Sequence, residues 1–282
     1  MQAICQDLLD EYRALAALCA NLSLAQWREP SKFYGWSAWD EVAHLCYFDE
    51  TGLQSATDPP AFTRDAVLLG QRIARGEEIS AVARERYRAL DGPALLARWR
   101  PLHEGLVAAL AKLDPKARLS WYGPPMSARS FATARLMETW AHGQDVWDVV
   151  CRERPASARL KHIAHLGVTT FRWTFQNRKL EVPAQPPYVE LAAPDGSVWT
   201  WNEASGEPPN EASSKPSNEP PDLCFVRGSA QDFCLLVTQR RHVEDTALQY
   251  GGAGVGPWLR MAQCFAGPPA DGPAPGVRRV TY

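Results

Sequence analysis

The first part of the chain repeats apolar residues with the 3.6-residue period of amphipathic helices. Apolar side chains recur at this spacing over residues 2–22, and Ser37 is a suitable N-cap for a helix that reaches about residue 54. Four further helical patterns cover residues 63–89, 93–113, the stretch from Ser127 or Ser130 to about 150, and 157–177. Long helices with short connections predict an up-and-down four-helix bundle.

The pattern changes after about Val182. Apolar and polar residues alternate on both sides of Pro194-Asp195-Gly196, which predicts a β-hairpin. Short patterns then predict two strands and two helices, at residues 223–227, 247–250, 229–239 and 256–265. We therefore expect a mainly α protein, with an all-α domain over residues 1–180 and a small α+β domain over residues 181–282.

One segment of the C-terminal region lacks the apolar residues that a folded core needs. Residues 203–222 consist almost entirely of Pro, Ser, Glu, Asn and other residues that do not pack in a core. This composition predicts a disordered insertion.

Composition and charge exclude several classes of protein. The chain has 282 residues, 45% of them hydrophobic, and 30 basic against 32 acidic side chains. Such a near-neutral chain, with no dense run of Lys or Arg, lacks the basic field of a nucleic-acid-binding protein. Charges interrupt every long apolar stretch, so we expect no membrane segment. Asp7, Asp10 and Glu11 interrupt the first apolar pattern, which indicates an amphipathic helix and no signal peptide.

The seven cysteines are scattered along the chain, and no two of them form a CxxC pair. This arrangement predicts neither a disulfide framework nor a zinc-cysteine site. We interpret the cysteines as reduced, mostly buried side chains of a cytoplasmic protein.

The helix predicted from Ser127 carries the candidate chemistry. Glu138 and His142 are four residues apart, so a helix places them on one face, and Asp145 extends the same stripe by one turn. Apolar residues flank this stripe, which indicates that it does not face solvent. Buried carboxylates are costly unless they are paired or bind a metal ion.

A glutamate and a histidine one turn apart can supply two ligands to a first-row transition metal. The best third candidate is His44, in the middle of the helix that begins after Ser37. Two histidines and one glutamate leave a coordination position open, as in catalytic zinc sites. The alternative is that Glu138 and His142 form a simple polar pair and that His44 is a core histidine. We interpret the other four histidines as core histidines too, namely His103, His162, His165 and His242.

Two segments resemble the DinB-like superfamily, and within it the branch of mycothiol-dependent maleylpyruvate isomerases and related actinobacterial-type metal-binding proteins. The segments are GWSAWDEVAH at 35–44 and ETWAHGQD at 138–145. The resemblance implies a DinB-like four-helix bundle followed by a small α+β domain similar to sterol-carrier proteins. It also implies that His44, Glu138 and His142 bind a metal ion, expected to be Zn²⁺, with another divalent metal as the alternative.

The resemblance extends to the residues around the metal. It implies that Asp145 contributes to activity, and that an arginine of the C-terminal domain, Arg240 or Arg241, reaches the active site. It also points to a low-molecular-weight thiol as co-substrate, which could be mycothiol, bacillithiol or glutathione. In this hypothesis zinc holds the thiolate that adds to an electrophile, Asp145 acts as general base or orients a ligand, and the arginine binds a substrate carboxylate.

The expected function is therefore a zinc-dependent thiol transferase or isomerase that acts on a small electrophile, with carboxylate-bearing compounds as the candidates. Maleylpyruvate itself is one possibility among several substrates. Two alternatives stay open: a zinc metallohydrolase with Asp145 as base, and a non-catalytic protein that binds a metal or a small ligand.

Overall fold

A computed structural model describes residues 1–203 and 224–282 of the chain. The segment predicted to be a disordered insertion lies outside the described residues, apart from Glu203. The described residues form two compact units, one of residues 1–154 with 280–282 and one within residues 155–279. Within the described part of the chain, no helix is both long and apolar enough to cross a membrane.

The first unit consists of six helices and a two-stranded ribbon. The helices are α1 (Gln2–Cys19), α2 (Ala38–Thr57), α3 (Pro59–Ala74), α4 (Ile79–Tyr87), α5 (Gly92–Ala111) and α6 (Ala128–Val149). The antiparallel ribbon pairs β1 (Arg118–Leu119) with β2 (Met126–Ser127), and a 3₁₀ turn covers Gln26–Arg28. Helices α1 and α2 each pack against both α5 and α6, which makes the four-helix bundle.

Local signals explain where the bundle helices begin. The Ser37 side chain accepts a hydrogen bond from the Asp40 N–H, and the Asp40 carboxylate accepts one from the Ser37 N–H, so a capping box starts α2. Ser127 caps α6, and Asp91 caps α5 ahead of Pro93. The N-cap predicted for α2 is thus confirmed, and of the two candidates for α6, Ser127 and Ser130, the structure has Ser127.

A long connection joins α2 to α5. The charged pattern at 63–89 forms two helices, α3 and α4, because the chain between them turns at Gly76 in the left-handed region (φ 85°). This connection returns the chain to its starting end, so α5 runs in the same direction as α2, and the four helices do not alternate in direction as in the predicted up-and-down bundle. Glu50 of α2 meets Arg98 of α5, and further along both helices Leu53 lies against Gly105.

The second unit combines short helices with a four-stranded sheet. The helices are α7 (Leu160–Thr169), α8 (Phe171–Asn177), α9 (Ala230–Val237) and α10 (Val255–Met261), with a 3₁₀ turn at Val243–Asp245. The sheet has the order β4-β3-β5-β6, with β3 at Tyr188–Ala192, β4 at Val198–Trp201, β5 at Phe225–Ser229 and β6 at Gln249–Gly251. β3 and β4 form the predicted antiparallel hairpin, and β3 pairs in parallel with β5. The mainly α architecture with a C-terminal α+β region is confirmed.

The boundary between the two units differs from the one predicted from the sequence, which lies between residues 180 and 181. It falls between Arg154 and Pro155, because α7 packs against α9 of the second unit. Gly167 of α7 makes this contact close, since a methyl group there would lie 2.8 Å from the Val237 side chain. The single helix expected at 157–177 is interrupted at Thr170, whose hydroxyl donates to the Leu166 carbonyl.

Candidate metal centre

The facing sides of α2 and α6 bring three potential ligands together, and we call His44, Glu138 and His142 the histidine cluster. The Glu138 Oε2 atom lies 3.4 Å from His142 Nε2 and 3.7 Å from His44 Nε2. The two imidazole centroids are 4.3 Å apart. All three ligand atoms lie within 4.8 Å of one another.

The spacing of these atoms fits a transition-metal ion. Ligand atoms at about 2.0–2.2 Å from a tetrahedral zinc ion lie about 3.3–3.6 Å apart. The 3.4 Å and 3.7 Å separations within the histidine cluster are close to this value. Two imidazoles and one carboxylate are also donors that zinc and neighbouring divalent metals accept. The residues present therefore fit such an ion.

The histidine cluster is open on the glutamate side. The Glu138 side chain keeps 25% of its surface exposed, whereas His142 keeps 7% and His44 keeps 15%. Burial opposes ionisation of Glu138, but hydrogen bonds to His142 and His44 and their charges outweigh burial, so the pKa of this carboxyl lies well below its ordinary value. The carboxylate is thus ionised at neutral pH, which is the form that binds a cation.

A second carboxylate lies behind His142. Glu41 of α2 is fully buried, and its Oε2 atom is 2.6 Å from His142 Nδ1. A carboxylate beside Nδ1 favours a proton on that nitrogen, so the proton that binding of a cation would displace is the one on Nε2, at the opposite side of the ring. Here the opposite side is that of Glu138, so Glu41 sets the tautomer that metal binding requires.

Asp145 lies close to both Glu41 and His142. Its carboxylate lies within 4.8 Å of both the Glu41 carboxylate and a His142 ring nitrogen, and the residue is 3% exposed. Asp145, Glu41 and His142 thus form a second group of titratable side chains, one that shares His142 with the histidine cluster.

Aromatic side chains surround the two ligand histidines. Trp36 stacks on His142 with centroids 5.8 Å apart, Phe33 meets the same ring edge-on at 5.6 Å, and Phe48 lies 4.8 Å from His44. Trp36 is presented by a tight turn in which Gly35 has a positive φ of 72°. These rings restrict the access of water to the cluster.

Comparisons with known proteins identify the family of the chain. A family model described as "Mycothiol maleylpyruvate isomerase N-terminal domain" matches residues 8–147, which include the whole histidine cluster. Uncharacterized proteins from two strains of Mycobacterium tuberculosis are 39% identical over 266 residues, which cover 94% of this chain and 96% of theirs. The chain belongs to the mycothiol-dependent maleylpyruvate isomerase superfamily.

One solved structure of this superfamily supports the fold. The crystal structure of a mycothiol-dependent maleylpyruvate isomerase with a histidine-to-alanine substitution has a TM-score of 0.51 and covers 83% of this chain and 87% of its own. The sequence of the solved structure is 15% identical to that of this chain, so the likeness concerns the fold alone.

The structure brings four of the candidate residues together, namely His44, Glu138, His142 and Asp145. Arg240 and Arg241 belong to the second unit, where they follow α9. Both are buried, at 4% and 6% exposure. The Arg240 side chain donates to the Thr238 carbonyl, and that of Arg241 donates to the Arg240 carbonyl.

Sequence reasoning missed Glu41 as a partner of His142. Glu41 precedes His44 by three residues, so helical spacing places both on one face of α2, and this was the available signal. Of four tryptophans near the motifs, Trp36 lies against both ligand rings. The other three are used elsewhere: Trp39 donates to the Leu90 carbonyl, and Trp140 and Trp147 lie beside Arg154 and Arg152.

Proposed function

We propose that this protein is a zinc-dependent enzyme that uses a low-molecular-weight thiol to transfer or isomerise a small electrophilic substrate. The observation that carries the proposal is the histidine cluster, in which two imidazoles and one ionised carboxylate converge within 4.8 Å on one open side. Its occurrence in a member of the mycothiol-dependent maleylpyruvate isomerase superfamily supports the thiol as co-substrate.

The proposed roles follow from the contacts of each residue. His44, Glu138 and His142 would hold the ion, and Glu41 orients His142 through Nδ1. A zinc ion supplies Lewis acidity, which favours the thiolate form of a thiol at neutral pH. Trp36 and Phe33 restrict water next to His142, which strengthens electrostatic interactions at the site.

Two further roles complete the proposal. Asp145 lies beside His142 and Glu41, a position from which it orients the ligand histidine, and a role as general base in proton transfer stays a prediction. The binding of a substrate carboxylate by Arg240 or Arg241 also stays a prediction. The seven cysteines are all free, which supports the proposed cytoplasmic location.

Metal analysis of natively purified protein is the first test. We expect about one zinc ion per chain in the wild type, its loss in His142→Ala, and its retention in His165→Ala. His165 is exposed, so the prediction that it is a core histidine is wrong. It belongs to the second unit and lies outside both groups that could hold a metal, so it is the matched control. Absence of zinc from the wild type, even after reconstitution, would contradict the proposal.

Turnover assays test the thiol. Zinc-loaded protein is incubated with a panel of carboxylate-bearing electrophiles, including maleylpyruvate, with and without mycothiol, bacillithiol or glutathione. We expect turnover only when a thiol is present, and its loss in Asp145→Asn with the zinc content unchanged. Equal turnover without any thiol would contradict the role of the thiol, and a hydrolysed product in that reaction would identify a hydrolase.

A further inference from the structure

The contacts between α2 and α6 form a ladder. Because the two helices run antiparallel, residue numbers rise along one as they fall along the other. Four successive contacts follow this rule, namely Glu41 with His142, His44 with Glu138, Asp49 with Arg135, and Gly52 with Phe131. The first two contacts contain the metal-ligand residues, and the last two lie deeper along the same pair of helices.

The third contact is part of a fully buried group, which we call the Asp49 cluster. The Asp49 carboxylate accepts hydrogen bonds from Tyr12 Oη at 2.5 Å, from Trp99 Nε1 at 2.7 Å and from Arg135 Nε at 2.9 Å. Asp49 and its aromatic donors are 0% exposed, and Arg135 is 3% exposed. The four residues come from α2, α1, α5 and α6, so one carboxylate joins all four helices of the bundle.

The Arg135 link differs from the other two links to Asp49. Tyr12 and Trp99 lie on helices that carry no member of the histidine cluster. Arg135 lies on α6 one turn before Glu138, and Asp49 lies on α2 five residues after His44, an axial rise of about 7.5 Å. This charged hydrogen bond therefore connects the two ligand-bearing helices next to the ligands.

The fourth contact limits how the two helices can shift. A methyl group at Gly52 would lie 3.1 Å from the Phe131 ring, so α2 and α6 are in close contact there. The Asp49–Arg135 pair adds a directional link one turn away. Sliding α2 along α6 would break this link and change the distance from His44 to Glu138.

We propose that Asp49 and Arg135 are positioning residues for the metal centre, which hold α2 and α6 in the register that brings His44 to Glu138 and His142. This inference rests on the proposed function, because it assumes that the histidine cluster binds a metal ion.

The test compares two variants of the same buried cluster. The double variant Asp49→Asn/Arg135→Met removes both charges and leaves the net charge unchanged. The single asparagine oxygen can still accept from Trp99 Nε1, while the amide NH2 takes the place of the oxygen beside Tyr12 and can donate to its hydroxyl. Replacing both charges avoids leaving one of them buried alone, so this variant is expected to fold. The control, Tyr12→Phe, removes a hydrogen bond to the same carboxylate from a helix without ligands.

Zinc affinity is measured by competition with a chelator, and the visible absorption of Co²⁺-substituted protein reports the coordination geometry. We expect the double variant to bind Zn²⁺ on the order of 10-fold more weakly, with an altered Co²⁺ spectrum. Tyr12→Phe is expected to keep the wild-type affinity and spectrum. A third variant, Arg135→Lys, retains the charge but not the planar guanidinium, and is expected to lie between the two.

Two results would overturn the inference while the proposed function stands. One is wild-type zinc affinity and Co²⁺ spectrum in the double variant. The other is an equal loss of affinity in Tyr12→Phe, which would trace the effect to general destabilisation. A wild-type protein that binds neither Zn²⁺ nor Co²⁺ would overturn the proposed function and this inference together.

Discussion

Two groups of polar side chains lie next to each other inside the same helical bundle, and they are arranged in opposite ways. In the Asp49 cluster, one carboxylate accepts hydrogen bonds from donors on three other helices, and every member is buried. In the histidine cluster, three potential metal ligands converge. The Nε2 atoms of His142 and His44 lie 3.4 Å and 3.7 Å from Glu138 Oε2, and Glu138 is partly exposed.

The comparison separates a group that is satisfied within the bundle from a group whose donors could hold a metal ion. A buried charge that neighbouring donors satisfy holds its helices together and offers nothing to a ligand. Lone pairs that converge near a solvent-accessible opening favour a cation. The two groups share α2 and α6, so the first can position the second.

The largest expected effect is on the free energy of unfolding, when one charge is removed from the Asp49 cluster. Arg135→Met leaves the Asp49 carboxylate buried with two neutral donors, and we expect a loss of about 3–5 kcal/mol in the free energy of unfolding. Urea denaturation of the metal-free protein, followed by circular dichroism, measures this loss. Adding Asp49→Asn should recover most of it. A loss below about 1 kcal/mol in Arg135→Met would show that the pair does not stabilise the bundle.

Replacing a predicted ligand in the histidine cluster should have the reverse effect, a large loss of zinc affinity and a small loss of stability. Glu138→Gln keeps the shape of the side chain but removes its charge, so zinc affinity should fall by more than about 100-fold, or about 2.7 kcal/mol. The metal-free protein should lose less stability than Arg135→Met does, because Glu138 is partly exposed and solvent screens its interactions with the two histidines. Glu153→Gln, at an exposed position, is the control for charge alone. Wild-type affinity in Glu138→Gln would exclude this residue as a ligand.

Glu41 should affect the metal site through His142. In Glu41→Gln the amide oxygen can still accept from Nδ1, but the negative charge that increases the basicity of the imidazole is lost. We expect zinc affinity to fall by about 10–100-fold, the usual effect of removing an outer partner of a metal ligand. Chelator competition measures it. An affinity within twofold of the wild type would mean that the 2.6 Å contact has no part in metal binding.

The smallest expected effect is a pH dependence at the edge of the Asp49 cluster. His103 is buried and stacks on Tyr12 at 4.5 Å, and neither ring nitrogen has a hydrogen-bond partner within the described ranges 1–203 and 224–282. Burial lowers the pKa of His103 below its ordinary value of 6.5. The unfolded chain therefore binds more protons at acidic pH, and stability falls as the pH drops below about 6.5, by at most about 1.4 kcal/mol per pH unit.

Replacing the imidazole tests this assignment. His103→Phe keeps an aromatic ring against Tyr12 and removes the titration. The stability of the variant relative to the wild type should therefore rise as the pH is lowered from 7.5 to 5.5. Metal-free protein is used for both, so that His44 and His142 titrate in each. A stability difference that stays constant with pH would contradict the role of His103.

Local patterns in the sequence determined much of the fold. The helix caps Ser37 and Ser127 and the hairpin around Asp195-Gly196 depend on neighbouring residues alone, and the structure has them where they were predicted. The pairing of Glu138 with His142 is likewise set by one helical turn. His44 lies in a separate motif, and its approach to the pair confirms the expected packing of two helices, while its role as a ligand stays a prediction.

The tertiary structure alone decided the surroundings of these residues. Glu41 and Asp49 are acids in mostly apolar stretches of α2, and the sequence does not show which donors they meet. Those donors come from helices 37 to 101 positions away in the chain, at Tyr12, Trp99, Arg135 and His142. The cost of burying a charge depends on such distant partners, so only the packing of the four helices distinguishes a stabilising carboxylate from one that orients a metal ligand.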